Sequence, residues 1–460
     1  MLIKYKRILK KKKYYEYKKS FYITKLLIIL FFFKFIKIDI YNSITSIKIY
    51  YNYLKLVKNK RKISIGIIAN SLCYGGAERQ TSLLLYYFNK IKIFKLFVFT
   101  LKNKEKNEYK IDKNIERIVI NKNLIKSIIK RKLDILLYQS YNEKIMKELN
   151  KLKKPKIIFI NRSCFTHWLY YNNYHYFRTT YKVYKNAKYV ISLIHFENDY
   201  LFNKWGINSI LMNNFMNYEY NSITPSDLSS KTILMIGRAE DRIKRFHLGI
   251  ETMKYIIMEI EECEMKIISK IDKINSLIKF VNESNLENKI KFLGYTPNPE
   301  QYYKNANLHL FPTLAEAFPN ILSETLIYGI PNIVIGLDYI STSKGGTIII
   351  YDDSPISIAK EAIKILKNYR LRKKLGKEAR KNMKKFRNNV LLKKWVKLII
   401  SIFNGGDYYK KLRIQNKKIS KSEAIKIIAN QVKLLKLRKK DLMNITVNDI
   451  ENFTFLENLK

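Results

Sequence analysis

From Ile63 onward the chain twice repeats one pattern: short apolar, mostly β-branched runs, turns bearing glycine or polar residues, and helix-length amphipathic segments. A strand that returns in the same direction needs a crossover long enough to hold a helix, and such helices cover both faces of the resulting parallel sheet. Strands are expected over 63–69, 94–100, 133–138, 156–160, 189–193 and 209–212, with a helix over 78–88. After the turn-forming run Thr224, Pro225, Ser226, Asp227, a second series is expected over 232–236, 266–269, 290–293, 308–311, 332–335 and 347–351. The fold class is therefore α/β, with two Rossmann-like units in tandem facing across a cleft. Ligands of such sheets bind beyond the carboxyl ends of the strands.

The expected organisation is a basic, partly apolar leader over 1–60, a first Rossmann-like unit over 61–228 and a second over 229–389. A closing helix over 390–405 and a lysine-rich tail over 406–460 follow, the helix crossing back to brace the first unit. Helices are also expected over 357–367, 371–385 and 420–437. With 47% hydrophobic residues, wholesale disorder is ruled out. Three separated cysteines without a CxxC exclude a disulfide scaffold or a thiolate zinc site, and no metal site is expected from five scattered histidines.

The net charge of +50 points to an anionic partner, although an A/T-rich coding bias accounts for part of it. Residues 1–60 carry +14 and 61–228 carry +17, against +12 over 229–405 and +7 over 406–460. In the leader, lysines 10–13 precede an apolar stretch at 26–33 flanked by Lys25, Lys34 and Lys37. That stretch is far shorter than the ~20 residues of a spanning helix, and no small-residue cleavage site follows it. The expectation is a helix lying in the membrane interface with lysines reaching to headgroups; the alternatives are a marginal span, and a basic extension or a helix packed on the core.

The segment 308–336, LHLFPTLAEAFPNILSETLIYGIPNIVIG, carries the most chemistry. A strand runs out at Phe311 and Pro312, a loop bears Glu316, Pro319 suits a first helical turn, and Gly329 suits a helix C-terminus. A helix beginning between Ala317 and Ile321 would turn backbone N–H groups toward a phosphate in the cleft. Glu316 and Glu324, at most ~12 Å apart if helical, suit the two ends of a sugar nucleotide, sugar hydroxyls and ribose diol. The structural alternative is a buried strand–helix joint with a capping glutamate. At 233–250, ILMIGRAEDRIKRFHLGI, a strand enters Gly237 and Arg238, and Lys244 precedes a new helix. Two fixed cations at a strand's carboxyl edge suit a departing diphosphate, with Arg242 and Arg245 as alternatives. His247 reads as structural.

These residues together resemble glycosyltransferase family 4 of GT-B architecture, the bacterial polysaccharide-type "glycosyl transferases group 1", over about residues 62–403. Glu316 and Glu324 match the family's Glu-x7-Glu pattern within E-G-F-P-N-x-L-x-E-A-x-x-x-G-x-P. Gly237, Arg238 and Lys244 match its G-R…K element, and the GGAER run at 75–79 resembles the first loop of many members. The sequence departs from the pattern at Ala317, at Thr325 and in an Arg-to-Lys spacing longer by one. The resemblance implies retaining transfer from a nucleotide-diphospho-sugar (a UDP- or GDP-sugar as co-substrate) with no resident cofactor and no essential metal. It implies that Arg238 and Lys244 bind the diphosphate, Glu316 the donor sugar and Glu324 the ribose. Gly237, Phe318, Pro319, Asn320 and Ile321 would line the donor site, and Gly75 and Gly76 would let the first loop approach phosphate or acceptor.

On the acceptor side, the polar run 161–167 follows a strand, and from it Arg162 is a candidate for the cleft and His167 for orienting the acceptor or stabilising an oxocarbenium-like transition state. A histidine beside Phe165 and Trp168 suits packing equally well. Cys73 and Cys164 fall near cleft loops without the surroundings of an activated thiolate. The expected enzyme delivers sugar to a glycan or lipid-linked acceptor in surface polysaccharide or glycoconjugate synthesis, on the cytoplasmic membrane face and peripheral to an anionic bilayer. The rivals are a nucleotide-sugar epimerase or phosphorylase of the same fold, and a basic nucleic-acid-binding protein. No stacking platform or recognition-helix motif favours nucleic acid.

Overall fold

The computed structural model describes residues 44–73, 75–103, 108–120, 123–139, 143–167, 181, 184–185, 187–202, 205–207, 209–239, 242–270, 274–296, 298–405 and 419–436. The chain forms two compact units, Met1–Asn59 and Lys60–Lys460. In the first, the described residues form the helix Ile44–Lys58. The lysines at 10–13 and the apolar stretch at 26–33 lie outside the described residues. Among the described residues no helix is long and apolar enough to cross a membrane.

The second unit contains two parallel sheets. The first takes the order β3-β2-β1-β4-β5-β6-β7. Its strands are β1 Ile63–Ala69, β2 Phe94–Thr100, β3 Glu116–Val119, β4 Ile135–Tyr138, β5 Lys156–Ile160, β6 Tyr189–Ser192 and β7 Ser209–Leu211. The second takes the order β10-β9-β8-β11-β12-β13. It comprises β8 Thr232–Ile236, β9 Glu264–Ile268, β10 Ile290–Phe292, β11 Leu308–Phe311, β12 Asn332–Ile335 and β13 Thr347–Ile350. Central strands such as β4, β8 and β12 are buried at every residue. Such strands read as unbroken apolar runs because helices cover both faces. The strand absent from the sequence reading, β3, is a half-exposed edge strand whose Glu116 and Arg117 interrupt the apolar signal.

The strand order reverses between β1 and β4 in one sheet and between β8 and β11 in the other. Each reversal opens a crevice at the strand ends. The loops after β1 and β4 therefore belong to the first crevice, and those after β8 and β11, with Gly237 and Glu316, to the second.

One apolar cluster runs from the first sheet into the second half, joining Phe159, Phe165 and Leu193 to Phe318, Leu322, Tyr339 and Phe386. Another packs the helices Phe246–Glu259 and Pro355–Lys367 on the second sheet. Gly249 permits the first of these contacts, since a Cβ there would sit 2.4 Å from the Met235 sulfur. The helix Asn388–Phe403 returns to the first sheet's elements. There Trp395 meets Phe88 edge-on at 5.6 Å, Asn388 donates to the Tyr87 hydroxyl at 2.6 Å, and Lys156 donates to the Ile402 carbonyl at 2.5 Å. The turn at 224–227 is tied to the second half, with the Ser226 N–H donating to the Tyr328 carbonyl at 2.8 Å.

Candidate active site

The loop after β8 is a short path held at three points. The Gly237 N–H donates to the Ile268 carbonyl at 3.1 Å, which carries the chain off the strand edge at φ 155°. A single turn, Arg242–Lys244, follows. Arg245 adopts the left-handed region at φ 51°. Its 1%-exposed guanidinium donates to the Pro312 carbonyl at 2.6 Å and pairs with Asp353 at 2.7 Å. Arg245 is thus a buried structural clamp and not an alternative phosphate ligand. The Leu314 N–H donates to the Ile243 carbonyl at 3.0 Å, joining the loops after β8 and β11. Held this way, Lys244 donates directly to the Glu316 carboxylate. Arg238 lies exposed at the strand's end.

The helix after β11 is Asn320–Ile327, with Pro319 as its N-cap at φ −72°, ψ 113°. Pro319 therefore precedes the helix instead of occupying its first turn, and Glu316 stands in the loop. The Glu316–Glu324 spacing is set by that loop plus one helical turn, not by eight helical steps. Within the helix, Asn320 and Glu324 are four residues apart and share a face. That face meets the first half. Gln80 and Asn214 both donate to the Asn320 side-chain oxygen at 3.2 Å, and Asn214 also donates to the Phe318 carbonyl at 3.4 Å. The Phe318 ring is core, edge-on to Phe386 at 5.8 Å, so only its backbone faces the crevice. Ile321 is half-buried. Glu324 is 2% exposed. The Tyr303 hydroxyl donates to it at 2.7 Å, and the Arg79 guanidinium lies 3.0 Å from its other oxygen.

Arg79 and Gln80 come from the first turn of the helix Gly76–Asn89, directly after β1. The run at 75–79 carried the signal for Arg79, but nothing in the sequence marked Gln80, Asn214, Tyr303 or Tyr339 as its companions. Gly76 faces the start of the helix after β11, where an added Cβ would lie 3.5 Å from the Asn320 amide nitrogen. At Gly75 an added Cβ would meet the end of the Glu78 side chain, 1.7 Å from its carboxylate as placed.

Beyond β5, Arg162 donates to the Gln139 side-chain oxygen at 3.1 Å and to Asn214. Arg162, Asn214, Gln80 and Asn320 thereby form one polar seam between the halves. His167 is half-exposed at the end of its loop, its N–H donating to the Cys164 carbonyl at 3.1 Å. Trp168 lies outside the described residues. The loop is shaped by fully buried Glu197, which accepts from the Phe165 N–H at 2.7 Å, Asn161 at 3.1 Å and the Ser192 hydroxyl at 3.4 Å. The Cys164 thiol is pushed up to about 12 by burial and by Glu197, which keeps it protonated.

Burial pushes the Glu197 carboxyl up to about 8 against the pull of its three hydrogen bonds, from an ordinary 4.5. Between those values the folded state holds a proton that the unfolded chain has released. Stability therefore falls as pH rises through that window, with a slope of at most about 1.4 kcal/mol per pH unit from this group. Urea midpoints at pH 5.5 and 7.5 should show that fall in the wild type, and Glu197→Gln should flatten it. An unchanged pH slope in the variant would show that another group is responsible.

Residues 219–382 match the family model "Glycosyl transferases group 1". A GalNAc-alpha-(1->4)-GalNAc-alpha-(1->3)-diNAcBac-PP-undecaprenol alpha-1,4-N-acetyl-D-galactosaminyltransferase of Campylobacter jejuni is 24% identical over 177 residues, 37% of this chain and 48% of that enzyme. The chain spans half or less of the length of the curated relatives it matches. Sucrose-phosphate synthase of Thermosynechococcus elongatus superposes with a TM-score of 0.59 at 15% identity, over 77% of this chain and 100% of that one. HepE of Anabaena, solved in complex with UDP-glucose, gives 0.58 at 13% identity, over 73% of this chain and 98% of that one. Two parallel Rossmann-like sheets with these neighbours make the fold GT-B. The stretch that matches this family model carries Gly237, Lys244, Glu316 and Glu324.

Proposed function

We propose that this chain is a retaining, metal-independent glycosyltransferase that moves a sugar from a nucleotide-diphospho-sugar to a glycan or lipid-linked acceptor. The observation that carries the reading is the placement of Lys244, Glu316 and Glu324 around the loops after β8 and β11, inside the group 1 domain, with Asn320 turned to the first half. Glu324 would take the ribose diol, exchanging Arg79 for it, and Glu316 would hold sugar hydroxyls. The C1–O bond to the diphosphate breaks, and charge grows on the leaving oxygen where Arg238 and Lys244 can neutralise it. The acceptor oxygen bonds C1 on the same face, and its proton passes to the departing diphosphate. Closure of the two halves keeps water from the donor. The undecaprenol-linked substrate in the Campylobacter relative's name supports a lipid-linked acceptor, and the UDP-glucose complex of HepE supports a uridine donor. The basic first half suits an enzyme peripheral to the cytoplasmic face of an anionic membrane.

Calorimetric titration of UDP, GDP and their sugar conjugates with chelator present tests the reading. One base should bind tightly, and Glu324→Gln should weaken it about ten-fold, the scale of a lost charge-assisted hydrogen bond. Failure of every nucleotide at millimolar concentration, alongside RNA binding with steep salt dependence, would replace the enzyme by a nucleic-acid-binding protein.

A further inference from the structure

Resting on that reading, we propose that Tyr339 is a positioning residue for transfer, setting the Glu316 backbone against the loop that carries His167. Tyr339 follows β12 and is buried. Its hydroxyl accepts from the Glu316 N–H at 3.2 Å and shares a 2.9 Å hydrogen bond with the Thr166 hydroxyl. One oxygen therefore contacts the donor-side glutamate and the residue immediately before His167. The ring stands edge-on to Phe165 at 5.2 Å, and Phe165 is the residue whose N–H is held by Glu197. Thr166 and Tyr339 lie in different halves, so this contact fixes the halves to each other at the point where donor and acceptor must meet.

The segment bearing Tyr339 is itself held by the C-terminal helix Lys421–Lys436. Gln431 donates to the Gly336 carbonyl, and Asn430 donates to the Asp338 carboxylate at 3.3 Å. Gly336 has φ +60°, and a Cβ there would lie 2.1 Å from Leu434, so the helix seats directly on the turn. The Tyr351 hydroxyl also donates to Asp338, at 2.7 Å. Helix, Asp338, Tyr339 and Glu316 make one continuous chain of contacts, which gives the otherwise opaque lysine-rich tail a role in the geometry of the site.

Tyr339→Phe keeps the ring and deletes both hydrogen bonds. Thr166→Val deletes the interdomain bond from the other side with little change of shape. Each should lower transfer kcat about ten-fold, a misplacement effect, with KM for the nucleotide sugar unchanged. The share of donor lost to hydrolysis should rise, because the acceptor loop is no longer held against C1. The double variant should be no worse than Tyr339→Phe. Hydrogen exchange supplies a reading independent of turnover: the Glu316 amide should lose protection in Tyr339→Phe, and so should the 161–167 loop in both variants. Unchanged kcat and hydrolysis share, or additive losses in the double variant, would overturn the proposal. So would a parallel fall in kcat and nucleotide affinity, which is the mark of a merely structural residue. Should the wild type transfer no sugar at all, the function reading fails while the exchange measurement still decides whether Tyr339 positions Glu316; full protection in Tyr339→Phe would sink it.

Discussion

Lys244→Met should lower kcat/KM for sugar transfer by about two to three orders of magnitude, with most of the loss in kcat. That scale belongs to removal of one fixed group aimed at charge developing in the transition state. Two features single out Lys244 among the 88 lysines and arginines. Its backbone is immobilised by the buried Arg245 clamp on Pro312 and Asp353 and by the Leu314–Ile243 bond. Its ammonium already sits on Glu316, next to where donor sugar and diphosphate would join. Methionine also removes the ammonium 5.9 Å from the Phe311 ring centroid and strands the partly buried Glu316 carboxylate, so stability should fall as well, and kcat is read at a temperature where the variant is folded. Steady-state kinetics with the nucleotide sugar named by calorimetry would check this. A raised KM with kcat intact would reduce Lys244 to a ground-state binding residue.

Arg79→Met should destabilise the fold by roughly 3 kcal/mol, because removing one partner of a buried pair strands the other charge. The pair is buried unequally, Glu324 at 2% exposure and Arg79 at 16%, which places the effect at the lower end of that principle's range. The Tyr303 hydroxyl then remains as the donor to the carboxylate. Adding Glu324→Gln should recover most of the loss, since the stranded charge goes with it. Urea denaturation of the two singles and the double gives the coupling directly. Nucleotide affinity gives a second reading. If Arg79 holds the oxygen that a ribose would take, Arg79→Met binds nucleotide at least as tightly as wild type even though it is less stable. Affinity falling in step with stability would instead make Arg79 a ligand in its own right.

Most of the second sheet was legible in advance. The strands Thr232–Ile236, Leu308–Phe311 and Asn332–Ile335 coincide with the apolar runs that announced them. Strand β3 was not legible, because a half-exposed edge strand needs no continuous apolar run. The helix ends shifted for local reasons: Pro319 caps the helix Asn320–Ile327 from outside, with Asn320 as the first helical residue. The site was partly legible. Glu316, Glu324, Lys244 and Asn320 were named from sequence, but the sequence offered Lys244 and Glu316 as separate ligands, while the fold pairs them.

By itself, then, the sequence determined the α/β class, the two series of strands and the motif loops at their ends. These are local properties: apolar runs, turn residues and helical periodicity act over a few neighbours in the chain. Only the tertiary structure decided which polar groups face one another. Gln80 meets Asn320 across 240 residues of chain, and Thr166 meets Tyr339 across 173. Arg79 finds Glu324 and Thr166 finds Tyr339 only because the two halves are brought together by a shared apolar core. The burial that makes those polar pairs strong comes from that core, and no window of sequence contains it.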